Sequence, residues 1–315
     1  MPRAIKKGKE KTGEKKADTV RGEKPEPIIQ WFPGHMKKAR ELIEENLKLV
    51  DVVVELLDAR IPMASANPML REIIRGLPRI IVLNKSDLAD PRITKRWVEH
   101  FTRRGMAAIA IDAVTGKGVK GLLSLIADKA RAQTERLVKK GAAPRKARVM
   151  ILGIPNVGKS SLINRLAGGA KAKTADRPGV TRAKQWIRIG KDVDLLDTPG
   201  ILWPRFEDME VGLKLSFMGS INDEIYDREK TTTLLLDVLR REYPQAIMER
   251  FKLEELPADA LELKELIGKK RGCLLKGGIV DMEKVERIIL AEFRMGKFGT
   301  ISLEVPPEDE DTAET

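Results

Sequence analysis

The sequence predicts an α/β protein: a mostly parallel, doubly wound sheet with helices on both faces, followed by a smaller all-α C-terminal domain. Three observations carry this expectation. Short apolar, largely β-branched runs alternate with helical stretches up to about residue 205, as buried parallel strands joined by helical crossovers do. A glycine-rich phosphate-loop pattern stands at one of the strand-to-helix junctions. Beyond that point strand signals fade while helical periodicity continues.

The strand runs are VDVVVELLDA (50–59), RIIVL (79–83), AAIAID (107–112), RVMILG (148–153) and VDLLD (193–197), with QWIRIG (185–190) alternating as an edge strand does. Helices are expected over 35–48, 67–76, 91–104, 119–140 and 160–167, then over 207–220, 229–242, 259–268 and 282–295. Asp90 as N-cap and Pro91 at the first helical position mark one helix start clearly. This divides the chain into an α/β domain over 28–205 and a helical domain over 206–301. The flanks, 1–27 and 302–315, are charged and poor in apolar residues, and both are expected to be disordered.

Charge narrows the partners. The net charge is +12, although residues 304–315 hold six acidic residues and no basic one. A basic body with only 4% aromatics suits phosphate contact better than base stacking. Lys129–Arg148, with eight basic residues against one acidic, and GKKRGCLLKGG (268–278) are the candidate stretches; plain solvated surface is the alternative for each. Cys273 is the single cysteine, which fits a reducing cytosol. No apolar run reaches the roughly 18 residues of a membrane span and the N-terminus has no signal-peptide pattern, so a cytoplasmic protein with no membrane partner is expected. Nothing in the sequence sets an oligomeric state.

The phosphate loop runs from Gly153 through four residues to Gly158, Lys159 and Ser160, after an apolar strand and before a helix. Its glycines let backbone N–H groups from Asn156 and Val157 through Ser161 turn toward a phosphate, and the helix adds its positive dipole end. Lys159 reaches the β- and γ-phosphates, and the Ser160 hydroxyl suits Mg²⁺. DLLDTPG places Asp197 at a strand end, where it can hold a water of the Mg²⁺ shell, and Gly200 where its N–H can meet the γ-phosphate. RPGVTR between them offers Thr181 as a second hydroxyl ligand, on a loop of the kind that orders around a γ-phosphate.

A second group of motifs reads the base. NKSD ends the strand RIIVL, where ligands bind in open α/β sheets. Asp87 can accept from the guanine N1–H and 2-amino groups, which adenine does not offer, while Asn84 and Lys85 brace the loops around the base. Ala113, in IDAVTGKG, can direct its N–H to guanine O6, although Asp112 stands where a serine is usual. The chain therefore binds GTP and GDP, but its motifs run base reader, base support, phosphate loop, threonine, DTPG. That order is a circular permutation of a P-loop GTPase. Strand ends in space, not chain order, set such a site.

With QWFPGHMKKA (30–39), DARIP (58–62) and GIPNVGKSSLIN (153–164), the sequence resembles the ribosome biogenesis GTPase A (RbgA/YlqF) family over roughly residues 28–300. The resemblance implies assembly of the large ribosomal subunit, with its precursor particle and rRNA as partners and GTP state controlling association and release. A GTP-dependent protein-signalling switch without RNA is the alternative. Ile201 stands where many GTPases carry a water-positioning glutamine. The family likeness points to His35 of WFPGH as the catalytic group instead; packing against Trp31 and Phe32 is its structural alternative. Asn156 resembles the asparagine of potassium-activated GTPases, which implies K⁺ beside the phosphates; bracing its own turn is the alternative.

Overall fold

The computed structural model describes residues 36–308, except 75, 142, 144, 169–185, 191 and 197–207. The described chain opens with α1 (Met36–Leu47), β1 (Val52–Asp58) and two short helices, α2 (Pro62–Ser65) and α3 (Pro68–Ile73). Strands and helices then alternate as β2 (Arg79–Asn84), α4 (Pro91–Arg103), β3 (Ala107–Ala110), α5 (Val119–Lys139), β4 (Ala147–Gly153) and α6 (Lys159–Leu166). After β5 (Trp186–Ile189) and β6 (Val193–Leu196) come α7 (Met209–Phe217), α8 (Arg228–Glu242), α9 (Pro244–Phe251), α10 (Ala260–Lys270) and α11 (Met282–Arg294).

The six strands form one sheet in the order β3-β2-β1-β4-β6-β5. Every pairing is parallel except β5 against β6, so QWIRIG is the antiparallel edge its alternation suggested. β1 shows why helices cover both faces. Val52, Val54 and Leu56 point to α5 and α6, where Leu122, Ile126 and Leu162 are buried with them. Val53 points the other way, onto Ile43 and Leu47 of α1, and Leu57 onto Trp97 and Phe101 of α4. Each such side chain is fully buried, worth about 1.5–3 kcal/mol.

Parallel register places the strand ends side by side. Asp58 pairs with Asn84 across β1 and β2, and Leu56 pairs with Gly153 across β1 and β4. The loops leaving these three positions therefore share one edge of the sheet. Helices α7 to α11 bury Leu215, Leu236, Ile267, Ile289 and Phe293 in a cluster continuous with the α5 face. Asp208, Asp227, Asp259 and Asp281 cap α7, α8, α10 and α11, each carboxylate accepting a first-turn N–H. Asp90 caps α4 in the same way, from Arg92 and Ile93.

Two features depart from expectation. Sequence periodicity shows neither α2 nor α9, because both are short and begin at a proline, which suits a first helical turn but reads as a turn signal. The acidic tail, expected to be disordered from 302, is built into the fold over its first residues. Ser302 is buried. The Glu304 carboxylate accepts from the N–H of Met63 (2.7 Å) and Ala64 (3.1 Å) and from Lys214 Nζ (3.3 Å). No side chain of its own caps α2, so Glu304 supplies the missing oxygen from 240 residues away. Local composition does not reveal such a partner.

Candidate functional site

The site is knit together by Asn84, the last residue of β2, which is 2% exposed. Its Nδ2 donates to the Val157 carbonyl inside the phosphate loop at 2.7 Å. Its Oδ1 accepts the Ala113 N–H at 3.0 Å. One amide thus joins the base-reading loop, the loop after β3 and the phosphate loop. Ser86 N–H adds a second tie, to the Ile111 carbonyl at 3.1 Å.

The phosphate loop shows why its glycines are glycines. Gly158 has φ +102°, and a Cβ there would lie 2.3 Å from Asn84 Nδ2. A Cβ on Gly153 would lie 2.7 Å from the Leu56 carbonyl oxygen. Gly158 is also the N-cap of α6 and brings no side-chain oxygen, so the first turn keeps its positive end toward an anion. Lys159 Nζ lies inside the loop, donating to the carbonyls of Gly153 (3.1 Å) and Ile154 (2.9 Å). Ser160 and Ser161 are exposed on that first turn.

Among the described residues, three other than glycine have positive φ: Lys85, Asn156 and Lys252. Two of these lie in the nucleotide loops, where such strain is characteristically stored. Asn156 does more than brace its own turn. Its Nδ2 donates to the Gly219 carbonyl beyond α7 at 2.6 Å. Lys85 Nζ donates to Asp58 Oδ2 at 2.9 Å.

Asp87 is exposed at the mouth of the site. Partial desolvation, with the charges of Asp112 and Asp58, pushes its carboxyl above the ordinary range, against its own backbone N–H and Arg60. Burial would raise Asp112 too, but Thr115 and the backbone N–H groups of Val114 and Thr115 outweigh it and hold it low. Asp112 therefore closes the turn that carries Ala113, which explains an aspartate where serine is usual. Beside this turn an open cleft is lined by Ala113, Val114, Ser161, Asn164, Arg165 and Gly168.

The structure thus brings Asn84, Lys85, Asp87 and Ala113 together with Asn156, Val157, Gly158, Lys159, Ser160 and Ser161. His35, Thr181, Asp197 and Gly200 lie outside the described residues. Sequence reasoning missed the partner of Lys85, Asp58, which is 1% exposed and bound in turn by Arg60. DARIP was the available signal, but it bears only on the family resemblance and does not point to a partner for Lys85.

A family model described as "50S ribosome-binding GTPase" matches residues 148–267. The ribosome biogenesis GTPase A of Bacillus cereus is 50% identical over 281 residues, covering 89% of this chain and 95% of its own. The Thermotoga maritima protein of the same name is 34% identical over 280 residues, again 89% of this chain and 95% of its own. A solved GNP-bound YlqF from T. maritima superposes with a TM-score of 0.63 at 31% identity, covering 86% of this chain and all of that one.

Proposed function

The chain belongs to the ribosome biogenesis GTPase A family, and on that premise we propose that it is a GTPase that assembles the large ribosomal subunit in the cytoplasm. The observation that carries the nucleotide reading is Asn84, which binds the phosphate loop and the base-reading loops through one side chain. That arrangement fits a ligand with a base at one end and phosphates at the other.

In this reading Asp87 selects guanine, and Lys159 with the N–H groups through Ser161 holds the β- and γ-phosphates. The Ser160 hydroxyl, exposed on the first turn of α6, is a hard oxygen donor of the type Mg²⁺ takes. Thr181 and Asp197 are proposed to complete that shell. Bound Mg²⁺ would neutralise charge on the phosphate oxygens. For K⁺, Asn156 is the proposed ligand through its amide oxygen Oδ1, the side chain being held by the Nδ2 bond to Gly219. His35 is proposed to orient the attacking water, docking when a pre-ribosomal particle is bound. The α/β domain ending near 205, and the helical domain after it with its basic stretch 268–278 as an rRNA contact, belong to the same proposal.

The test is GTP hydrolysis with and without purified large subunits, for wild type and His35→Ala. Wild type should be slow alone and faster with the particle. His35→Ala should keep GTP affinity within a few-fold and lose about 10²–10⁴ of the stimulated rate, the range of one positioned acid–base group. A variant that hydrolyses at the full stimulated rate refutes the role of His35. A wild type indifferent to the particle, with no affinity for ribosomal RNA, favours the signalling alternative.

A further inference from the structure

Asp58 and Arg60 are buried and have no part in the function so far described, yet both are tied to the half-buried Lys85 of NKSD. Asp58 closes β1 with its carboxylate fully enclosed. Oδ1 accepts from the Arg60 N–H (3.1 Å) and Nε (2.9 Å), and Oδ2 from Arg60 Nη2 (2.8 Å) and Lys85 Nζ (2.9 Å). Every donor is on one of two residues, and one of these is the lysine of NKSD. Burial alone would raise the Asp58 carboxyl, but the adjacent Arg60 and Lys85 charges hold it well below the ordinary range. The two cations thus favour the ionised carboxylate.

Arg60 is held from the far end of the chain. Its guanidinium lies 5.9 Å from the centre of the Phe293 ring of α11, and its carbonyl accepts the Leu303 N–H at 2.9 Å. Two residues earlier, the Ile301 N–H donates to the Leu88 carbonyl, also at 2.9 Å. Ser302 Oγ accepts the Asp90 N–H at 3.1 Å. Segment 301–304 thus straps the loop carrying Arg60 to the loop carrying Lys85. Lys85 itself has φ 59°, a conformation that costs an L-residue energy unless its surroundings impose it. The contacts on Lys85 are the Asp58 carboxylate at its ammonium and the Leu88 N–H at its carbonyl.

We propose that Asp58 and Arg60 are positioning residues for guanine recognition: Asp58 holds the Lys85 ammonium in place over the base site, and Arg60 with the 301–304 strap holds Asp58. This rests on the reading of NKSD as the guanine loop. Without Asp58 the Lys85 side chain would have to be ordered by the nucleotide itself, and affinity falls by that cost. The loss is expected at the base end, because the hydrogen bonds and ion pairs that Asp58 makes go to Arg60 and Lys85 and not to the phosphate loop.

The test is a double-mutant cycle on the full chain, with GDP and inorganic pyrophosphate binding measured by calorimetry. Asp58→Asn should weaken GDP about tenfold or more while leaving pyrophosphate within about twofold. In a Lys85→Met background, which keeps the stem and removes the charge, Asp58→Asn should cost less than about twofold further. Arg60→Lys keeps a charge but not the two-pronged contact; it should spare pyrophosphate, weaken GDP less than Asp58→Asn, and serve if that variant fails to fold by circular dichroism. Unchanged GDP affinity, an equal loss of pyrophosphate, or a full additional loss in the Lys85→Met background each overturns the proposal. Wild type binding ADP as tightly as GDP would overturn the guanine reading itself; guanine selectivity in wild type alongside an additive cycle would overturn only the role of Asp58.

Discussion

At the phosphate loop, the shaping residues Gly153, Asn156, Gly158 and Lys159 follow one another within a single turn of chain. Their geometry is set by backbone: a left-handed glycine, a helix N-terminus, an ammonium on two neighbouring carbonyls. At the base-reading end, Asp58, Lys85, Ala113 and Leu303 come from four separate stretches and meet only through side chains and long-range hydrogen bonds. The phosphate grip is mostly a local motif, joined to the rest of the fold by Asn84 at Val157 and by Asn156 at Gly219. The base grip is an assembly that requires the whole fold.

The sharpest way to separate the two ends is to damage the phosphate grip chemically. Lys159→Ala should lower single-turnover GTP hydrolysis by at least about 10²-fold, the order expected for one preorganised charge-stabilising donor. Far-UV circular dichroism should not change. Normal hydrolysis in this variant would mean that the loop does not hold the reacting phosphate.

Asp87→Asn probes the other end. It should weaken GTP and GDP by about 1.5–3 kcal/mol, roughly 10–150-fold in Kd, and shift preference toward xanthine nucleotides. The same carboxylate sets a pH dependence. Its pKa is raised, so protonation begins above the ordinary aspartate value of about 3.9. GDP affinity should therefore fall on acidification before that value is reached, while the Asp58 brace, depressed by its cations, stays charged. A pH titration of GDP binding by calorimetry that stays flat down to pH 4 contradicts this assignment.

The smallest effect concerns the side-chain tie from Asn156 of the phosphate loop to Gly219. Asn156→Ala removes the hydrogen bond to Gly219 and should cost about 0.5–1.5 kcal/mol of stability in urea unfolding. Asn156→Gly, which accepts the φ of 58° without strain, should lose no more than this; a larger loss in the glycine variant would show that the loop depends more heavily on the distant Gly219 tie.

The same contrast explains what was legible in the sequence. The strands, most helices and the phosphate loop rest on short-range patterns, and all appear where periodicity and glycine spacing put them. Asn84 was legible as part of NKSD, but not as the link between three loops, because its partners Val157 and Ala113 are set by strand register. α9 was hidden by Pro244. Glu304 was hidden by its composition: a run of acidic residues reads as solvated tail, and only the fold brings the α2 N–H groups to it.

The strap has a consequence for the order in which the protein is made. Synthesis delivers NKSD early and the phosphate loop midway, but Ile301 and Leu303 emerge last of the residues that touch the base-reading loops. A nascent chain can thus form its parallel sheet and phosphate grip before the clamp on Arg60 and Leu88 exists. Contacts spanning 240 residues are also the slowest to close during folding. The order of synthesis thus places the clamp on the base-reading end after the sheet and the phosphate loop are already available.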